Sequence, residues 1–544
     1  MTKKAKTAYI IMALVLTAAL TACQQSGLFT DSEGQEGTYV TSHEISIPVM
    51  KIRNLNPATS SDEDIYQMTK LVYNSLIGLG DTMEPTAELA ESWTYNDSGD
   101  LEFRLKKGVR FSDGSELTAD DVDFSVDVLK SAGETSAYAS KVSNISGVSV
   151  HSDYEFTVNL RDSSDTSIAD FDFPIFSSSQ YSGVREFLSV EDEPLIGSGA
   201  YKIDSASGQE IRLSANEHTF EVKPSNTITL KVMPAADLYP GLVSAGELSI
   251  MVMDQFNREN IAGNKRLKVT PFTSNEFETL GFHIRESGAC ASKYVRQAVA
   301  MTVDRDEIIS SCYYSSGIKS DDLYFPGYLG TETTNDFTSD RETALELLKE
   351  AGYSDSDEDG VMEDSEGGEL EMKLVTSSEN ESRRMAAQMI ARQLGEIGIR
   401  VSITEVASES LISAASSGSY DLFIAGWKVD ERFDLRQFYH SGYGNPAGYA
   451  NTTLDSLLDH MFSGVSAEQM KQDLTDAKKI IADEVPYLCL CYKTYAAVTS
   501  ADFEGLIVSQ FNDYYASCQD WSVRFLQPEE EKAAEDDGGT AQSE

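Results

Sequence analysis

Apolar residues recur along this chain with two different periods. Leu101, Phe103 and Leu105 alternate with Glu102 and Arg104, which puts the apolar set on one face of a strand. The same reading predicts strands over 45–52, 370–376, 399–406 and 420–425, and a hairpin from 148–150 and 156–160. A helical spacing of Ile65, Met68, Leu71, Val72 and Leu76 predicts a helix within 62–77. A second helix opens after turn residues 112–115, with Thr118 as N-cap, Asp121 at the capping-box position, and Val122, Phe124, Val126 and Leu129 along it. Helices over 343–351 and 383–397 end at Gly352 and Gly398, the residue type that takes the left-handed position after a helix. Residues 370–425 read strand, helix, strand with no hairpin signal, so a right-handed crossover and an α/β chain are expected.

With 544 residues the chain is too long for one core, and length alone suggests roughly three domains. A net charge of −46 keeps it soluble and argues against nucleic acid or an anionic membrane surface as partner. Lys3, Lys4 and Lys6 precede an apolar run over 9–19 and then Leu20-Thr21-Ala22-Cys23, a run too short for a membrane span with ordinary flanks. Residues 24–38 are polar and rich in Gly, Ser and Glu, so a flexible tether is expected over 23–42. A disordered acidic tail is expected over 527–544.

Candidate chemistry is sparse. The six histidines are scattered, with no H-E-x-x-H, and there is no G-x-S-x-G elbow and no G-K-[ST] phosphate loop. A secreted hydrolase is the reading from another class, but no carboxylate pair stands out for it, and no catalytic residue is expected. Six cysteines offer no zinc spacing. Cys489 and Cys491 alternate in an apolar run and are expected on one face of a strand. Asp355, Asp357 and Asp359, with Gly360 at the turn, Val361 offering a carbonyl and Glu366 at the twelfth position, match the spacing of a calcium-binding EF-hand loop. A strand rather than a second helix follows, so a solvated acidic hairpin is expected, and neither metal nor cofactor.

Ordered motifs run from about residue 45 to 525. They are Leu55-Asn56-Pro57, Leu89-Ala90-Glu91-Ser92-Trp93, and a long block through Phe103-Arg104-Leu105, Gly108-Val109-Arg110-Phe111-Ser112-Asp113-Gly114 and Leu117-Thr118-Ala119-Asp120-Asp121-Val122. Ile196-Gly197-Ser198-Gly199-Ala200-Tyr201, Val295-Arg296-Gln297-Ala298 with Asp304-Arg305, Glu350-Ala351-Gly352-Tyr353 and Gly426-Trp427 follow. In this order they resemble the family-5 solute-binding proteins of ABC importers, the group of the oligopeptide-, dipeptide- and nickel-binding proteins. Leu20 to Cys23 resembles a bacterial lipobox, which implies a signal peptide over 1–22 and acylation (palmitate) of Cys23.

The resemblance implies a two-lobed, periplasmic-binding-protein-like α/β fold with an extra domain on the first lobe. Lobe I would comprise 43–84, 195–281 and 493–526, the extra domain 85–194, and lobe II 282–492. It implies a monomeric, non-enzymatic binding subunit that captures peptides between the lobes and delivers them to permease and ATPase subunits. The same fold could instead take a nickel chelate, an opine or an oligosaccharide. The protein would sit on the extracytoplasmic face of the cell membrane, the outer face in a monoderm and the periplasmic side in a diderm. Asp430, three residues after Trp427, stands where peptide-binding members pair with the ligand's α-amino group. Gly426, Trp427 and Lys428 flank it, and Tyr492 and Phe282 are expected near the cleft. Glu431-Arg432 replaces the family's usual Tyr-Pro, and Arg432 could pair with Asp430 or with a ligand carboxylate.

Overall fold

The computed structural model describes residues 29–30, 36–181, 183–191, 195–253, 261, 263–332 and 337–528. The leader with Cys23 and the acidic tail beyond 528 lie outside the described residues. The tether expectation fails over its second half. Strand β1, Glu36–Ser42, pairs antiparallel with a C-terminal strand, Gly37 opposite Pro528 through Ser42 opposite Val523, so the chain's two ends close on each other. The same pairing takes residues 527 and 528 out of the tail.

Strand β2, Glu44–Val49, alternates Ile45 and Ile47 into the core, and helix α1, Glu63–Val72, is capped by the Asp62 carboxylate. An antiparallel sheet of β3 (Ala90–Tyr95), β4 (Leu101–Leu105), β5 (Ile145–Ser152) and β6 (Glu155–Leu160) follows, in the order β3-β4-β6-β5. Helix α2, Ala119–Ala132, packs on it. Its cap forms as the residues predict: Asp121 accepts the Thr118 N–H at 2.8 Å and also holds the Ser178 N–H and hydroxyl. Strands β7 (Tyr201–Ala206), β8 (Glu210–Ala215) and β9 (Thr227–Val232) then form a sheet with β2, and β9 runs parallel to β2. One continuous apolar cluster joins Ile45, Ile47 and Leu230 to Phe103, Leu105 and Phe156. The extra sheet is therefore fused to the first lobe rather than tethered to it.

Strand β10, Ile250–Met253, leads to β11, Leu267–Phe282, a strand of 16 residues. Helices α3 (Lys293–Thr302), α4 (Arg341–Glu350), α5 (Glu381–Gly395), α6 (Thr452–Met461) and α7 (Ala467–Glu484) follow. Between them lie β12 (Glu371–Ser377), β13 (Arg400–Val406) and β14 (Leu422–Lys428), and β15 (Tyr487–Ser500) follows, with the short strand Phe503–Glu504 between it and the C-terminal strand Ser522–Pro528. Sheet order is β10-β15-β11-β14-β12-β13, with β12, β13 and β14 parallel, as the strand–helix–strand pattern predicts. Gly352 and Gly398 both take positive φ (+92° and +82°) after their helices.

Helices cover both faces of this second sheet. Leu422 and Ile424 pack with Ala344, Ala386 and Ile390 on one side, and Phe423 and Ala425 with Leu454, Leu474 and Ile481 on the other. A strand buried on both faces reads as an unbroken apolar run, which is why 420–425 shows no alternation.

Strands β11 and β15 run antiparallel from one lobe into the other. Their pairing breaks between Thr273 and Phe277. Phe272 packs against the first lobe's core, whereas Phe277 and Tyr492 belong to the second's. The passage between lobes thus lies at 274–276, earlier than the 281/282 border expected. A second irregularity falls between Glu278 and Thr279, opposite Cys491 and Cys489. It turns these cysteines to opposite faces, Cys491 into one core and Cys489 into the other, contrary to the simple alternation. All five described cysteines are buried free thiols.

Candidate functional site at the seam between the lobes

Strand β14 ends at Lys428 and delivers a tight turn at the carboxyl end of the parallel strands, where ligands gather in α/β sheets. The turn is fastened to the interlobe passage: Val429 N–H donates to Asn275 O at 3.1 Å, and the Asn275 amide donates back to Val429 O. Asp430 Oδ1 accepts the Arg432 N–H at 3.2 Å, and Phe433 takes a positive φ of 47° to close the turn.

Asp430 is exposed, directly after the buried Val429. Burial and then the charge of Glu431 raise its pKa, against Arg432 and Lys141. Among the described residues no cation lies within ion-pair distance of it. Trp427 is half-buried, with its ring edge-on to Phe438 at 4.9 Å and its Nε1–H buried without a partner. Lys428 is exposed, opposite Glu276 in the ladder.

Gly426 has a structural duty. A Cβ there would stand 2.1 Å from Arg383 Nη2 and 2.5 Å from Glu278 Oε1. These two groups form a buried bidentate pair (2.7 and 3.1 Å), and Lys493 Nζ reaches Glu276 at 3.0 Å and Glu278 at 3.4 Å.

Of the two partners open to Arg432, Asp430 is not the one its guanidinium takes among the described residues. It reaches across the seam to Asp165 (2.8 Å), with Asp170 at 3.8 Å, and Arg436 joins Asp165 at 2.7 Å. Glu431 binds Lys141 Nζ at 3.0 Å and accepts from Tyr66 OH at 3.3 Å. Lys141 also pairs with the buried Asp172, which Lys70 approaches at 3.4 Å. Burial alone would lower the Lys141 pKa, but Asp172 and Glu431 outweigh it and raise it. Burial pushes Asp170 up to about 7 in spite of Arg432. Backbone joins the seam too, with Thr166 N–H donating to Phe462 O at 2.8 Å.

Two expected cleft residues lie elsewhere. Phe282 is fully buried in the second lobe's core. Tyr492 is fully buried as well, its hydroxyl donating to Leu323 O at 2.6 Å. Each is an apolar ring on a strand covered by helices, so core packing claims it. In the acidic loop, Asp355, Asp357 and Asp359 come together with the carboxylate of Glu363, not with that of Glu366. Glu363 is held by the Ser356 N–H and hydroxyl (2.8 and 3.0 Å), and Val361 N–H donates to Asp359.

Sequence reasoning missed Tyr66, Lys141, Asp165, Asp170 and Asp172, which carry no local pattern. Glu276 and Glu278 did carry one, as charges in a strand otherwise ending in a buried run, and so did Lys493 beside Tyr492.

Comparison with known proteins bears on the family and the fold. The family described as bacterial extracellular solute-binding proteins, family 5 middle, matches residues 84–449. The oligopeptide-binding protein AppA of Bacillus subtilis (strain 168) is 25% identical over 543 residues, covering 94% of this chain and 98% of that protein. A periplasmic murein tripeptide-binding protein in its unliganded open form superposes with a TM-score of 0.75 at 18% identity, covering 92% of this chain and 99% of the other. A nickel ABC transporter structure from Bacillus halodurans gives a TM-score of 0.74 at 17% identity, covering 87% and 98%.

Proposed function

Because the chain belongs to the bacterial extracellular solute-binding proteins of family 5, we propose that it captures peptides for an ABC importer, holding the α-ammonium group on Asp430 in the seam between its lobes. The observation that supports this reading is Asp430 itself, an exposed carboxylate at the end of β14 with no cation within ion-pair distance among the described residues. A primary ammonium supplies the missing charge through a short charge-assisted hydrogen bond. Trp427 offers a ring face for the residue beside it. The comparison with the oligopeptide-binding relative supports the ligand class.

Binding shifts an open–closed equilibrium by the ligand's differential affinity for the closed form. Contacts such as Lys141 with Glu431 exist only when the lobes meet, so they add to that preference. No bond in the ligand is broken. The closed shape is what the permease reads, and Cys23, once acylated, holds the protein at the membrane.

The test is mass spectrometry of ligand released from purified protein lacking the residues before Gln24. Peptides of varied sequence are expected. A sugar, an opine or a metal chelate as the sole released species would leave the family intact and overturn the peptide assignment.

A further inference from the structure

A cavity of about 390 Å³ opens in the first lobe between the end of α1, residues 78–88 and the loop 510–519, and none of residues 426–433 lines it. Three carboxylates, Glu88, Glu221 and Asp513, line it together with Asn512, Lys70 and Lys106. Among the described residues none of the three carboxylates has a cation within ion-pair distance. Glu88 Oε1 and Glu221 Oε1 share one donor, Asn74 Nδ2, at 2.8 Å to Glu88, and the Asp513 carboxylate accepts the Tyr515 N–H at 3.1 Å. Both lysines have partners of their own, those of Lys106 in the cavity wall itself. Lys70 turns to Asp172, and Lys106 bonds Ala87 O at 3.2 Å over the ring of Phe220.

Asn512 is an independent sign. It is 5% exposed, and its Oδ1 is buried with no hydrogen-bond partner. An orphaned buried acceptor costs about 1–3 kcal/mol unless something fills the space beside it. Burial, with the neighbouring Glu221 adding to it, pushes Glu88 up to about 7, and burial pushes Asp513 up to about 6. Lys70 acts on Glu88 and Asp513, and Lys106 on Glu221, from beyond ion-pair distance, and neither offsets the burial.

We propose that this cavity is a second solute site, which takes a small organic cation, an ammonium or guanidinium on a short carbon skeleton, through Glu88, Glu221, Asp513 and Asn512 Oδ1. Carboxylates and an amide oxygen offer acceptors, and a cation with several N–H donors satisfies them together. A metal ion fits less well. Among the described residues only the 355–363 loop brings such oxygens within 4.8 Å of one another.

The experiment is calorimetric titration of the protein lacking residues before Gln24 with agmatine and with 1,4-diaminobutane, near pH 6.5 in buffers of different ionisation heat. Saturable binding with proton release is expected, because the cation pulls Glu88 and Asp513 back to their charged forms. Glu221→Gln is expected to weaken it about tenfold or more, while Asp430→Asn leaves it unchanged. Melting temperature and retained peptide binding show that Glu221→Gln is folded. If it does not fold, Asn512→Leu, which leaves no charge unpaired, carries the same expectation. No saturable binding up to about 10 mM of either probe overturns the proposal. So does binding that vanishes in Asp430→Asn and persists in Glu221→Gln, which puts the probes in the seam between the lobes.

Discussion

Lys141 and Glu431 stand 290 residues apart in the chain and meet across the seam, Nζ to Oε2 at 3.0 Å. Behind Lys141 lies Asp172, 1% exposed at its side chain, so the pair is the outer end of a buried chain of charges. Removing Lys141 leaves Asp172 uncompensated apart from the more distant Lys70. Lys141→Met is therefore expected to cost about 3–5 kcal/mol of folding stability, read from urea unfolding midpoints. Glu431→Gln leaves the Lys141–Asp172 pair standing. It is expected to cost only about 1 kcal/mol and to weaken ligand binding severalfold by disfavouring closure, seen as a larger radius of gyration in X-ray scattering with ligand present. Equal stability losses in the two variants would contradict this order.

Asp430→Asn keeps the shape of the turn, since its Oδ1 still accepts the Arg432 N–H, but removes the charge. Affinity for peptides with a free amino terminus is expected to fall about tenfold to a hundredfold. N-acetylated peptides, already weak, are expected to be unaffected. Titration calorimetry of both peptide forms against both proteins checks it, and an equal loss for the acetylated peptide would remove the ammonium from Asp430.

Stability is expected to rise as pH falls from about 7 toward 5. Asp170 and Glu88 are raised to about 7, and Asp64 and Asp513 to about 6. A carboxyl whose folded pKa lies above its unfolded one binds its proton more tightly when folded, so its contribution is present below the unfolded value and is lost as pH rises through the folded one. Asp172 and Asp165 are lowered, and their contribution is lost in the opposite direction as pH drops below their ordinary value of 3.8. A stability maximum between these windows follows. Relief of the −46 net charge has the same sign on the acid side, so the discriminating measurement is Asp170→Asn, which should flatten the slope of melting temperature between pH 5 and about 7.

Gly426→Ala places a Cβ against Arg383 and Glu278, both held in a bidentate pair with no free end to swing. The pair must part or β14 must shift. A loss of about 2–4 kcal/mol is expected, measured by chemical unfolding. A loss under about 0.5 kcal/mol would show that the pair yields at little cost.

Most secondary elements were legible because their signals are local. The Thr118–Asp121 cap, the two glycine stops at 352 and 398 and the strand–helix–strand run over 371–428 each depend on residues within a few positions of one another. Asp430 was legible through the motif around Trp427. The partners of the next two residues, Glu431 and Arg432, were not, because Tyr66, Lys141 and Asp165 sit in segments whose own patterns describe ordinary surface helix and loop. Phe282 and Tyr492 misled because an aromatic near a domain crossing looks the same whether it faces a cleft or a core. The cysteine pair misled because a bulge opposite Glu278 breaks the alternation, and nothing near Leu490 announces it.

By itself the sequence determined most of the strands and helices and the acidic charge, since periodicity, capping and net charge act over a few residues or sum over all of them, while the two-lobed class came through the resemblance of its ordered motifs to a known family. The tertiary structure alone decided that β1 leaves the expected tether to pair with the C-terminal strand. It also decided that the lobes change hands at 274–276 and that Arg432 pairs with Asp165 across the seam. These depend on which distant segments share one place, and the free energy that selects among such pairings is a sum over contacts hundreds of residues apart, which no local window contains.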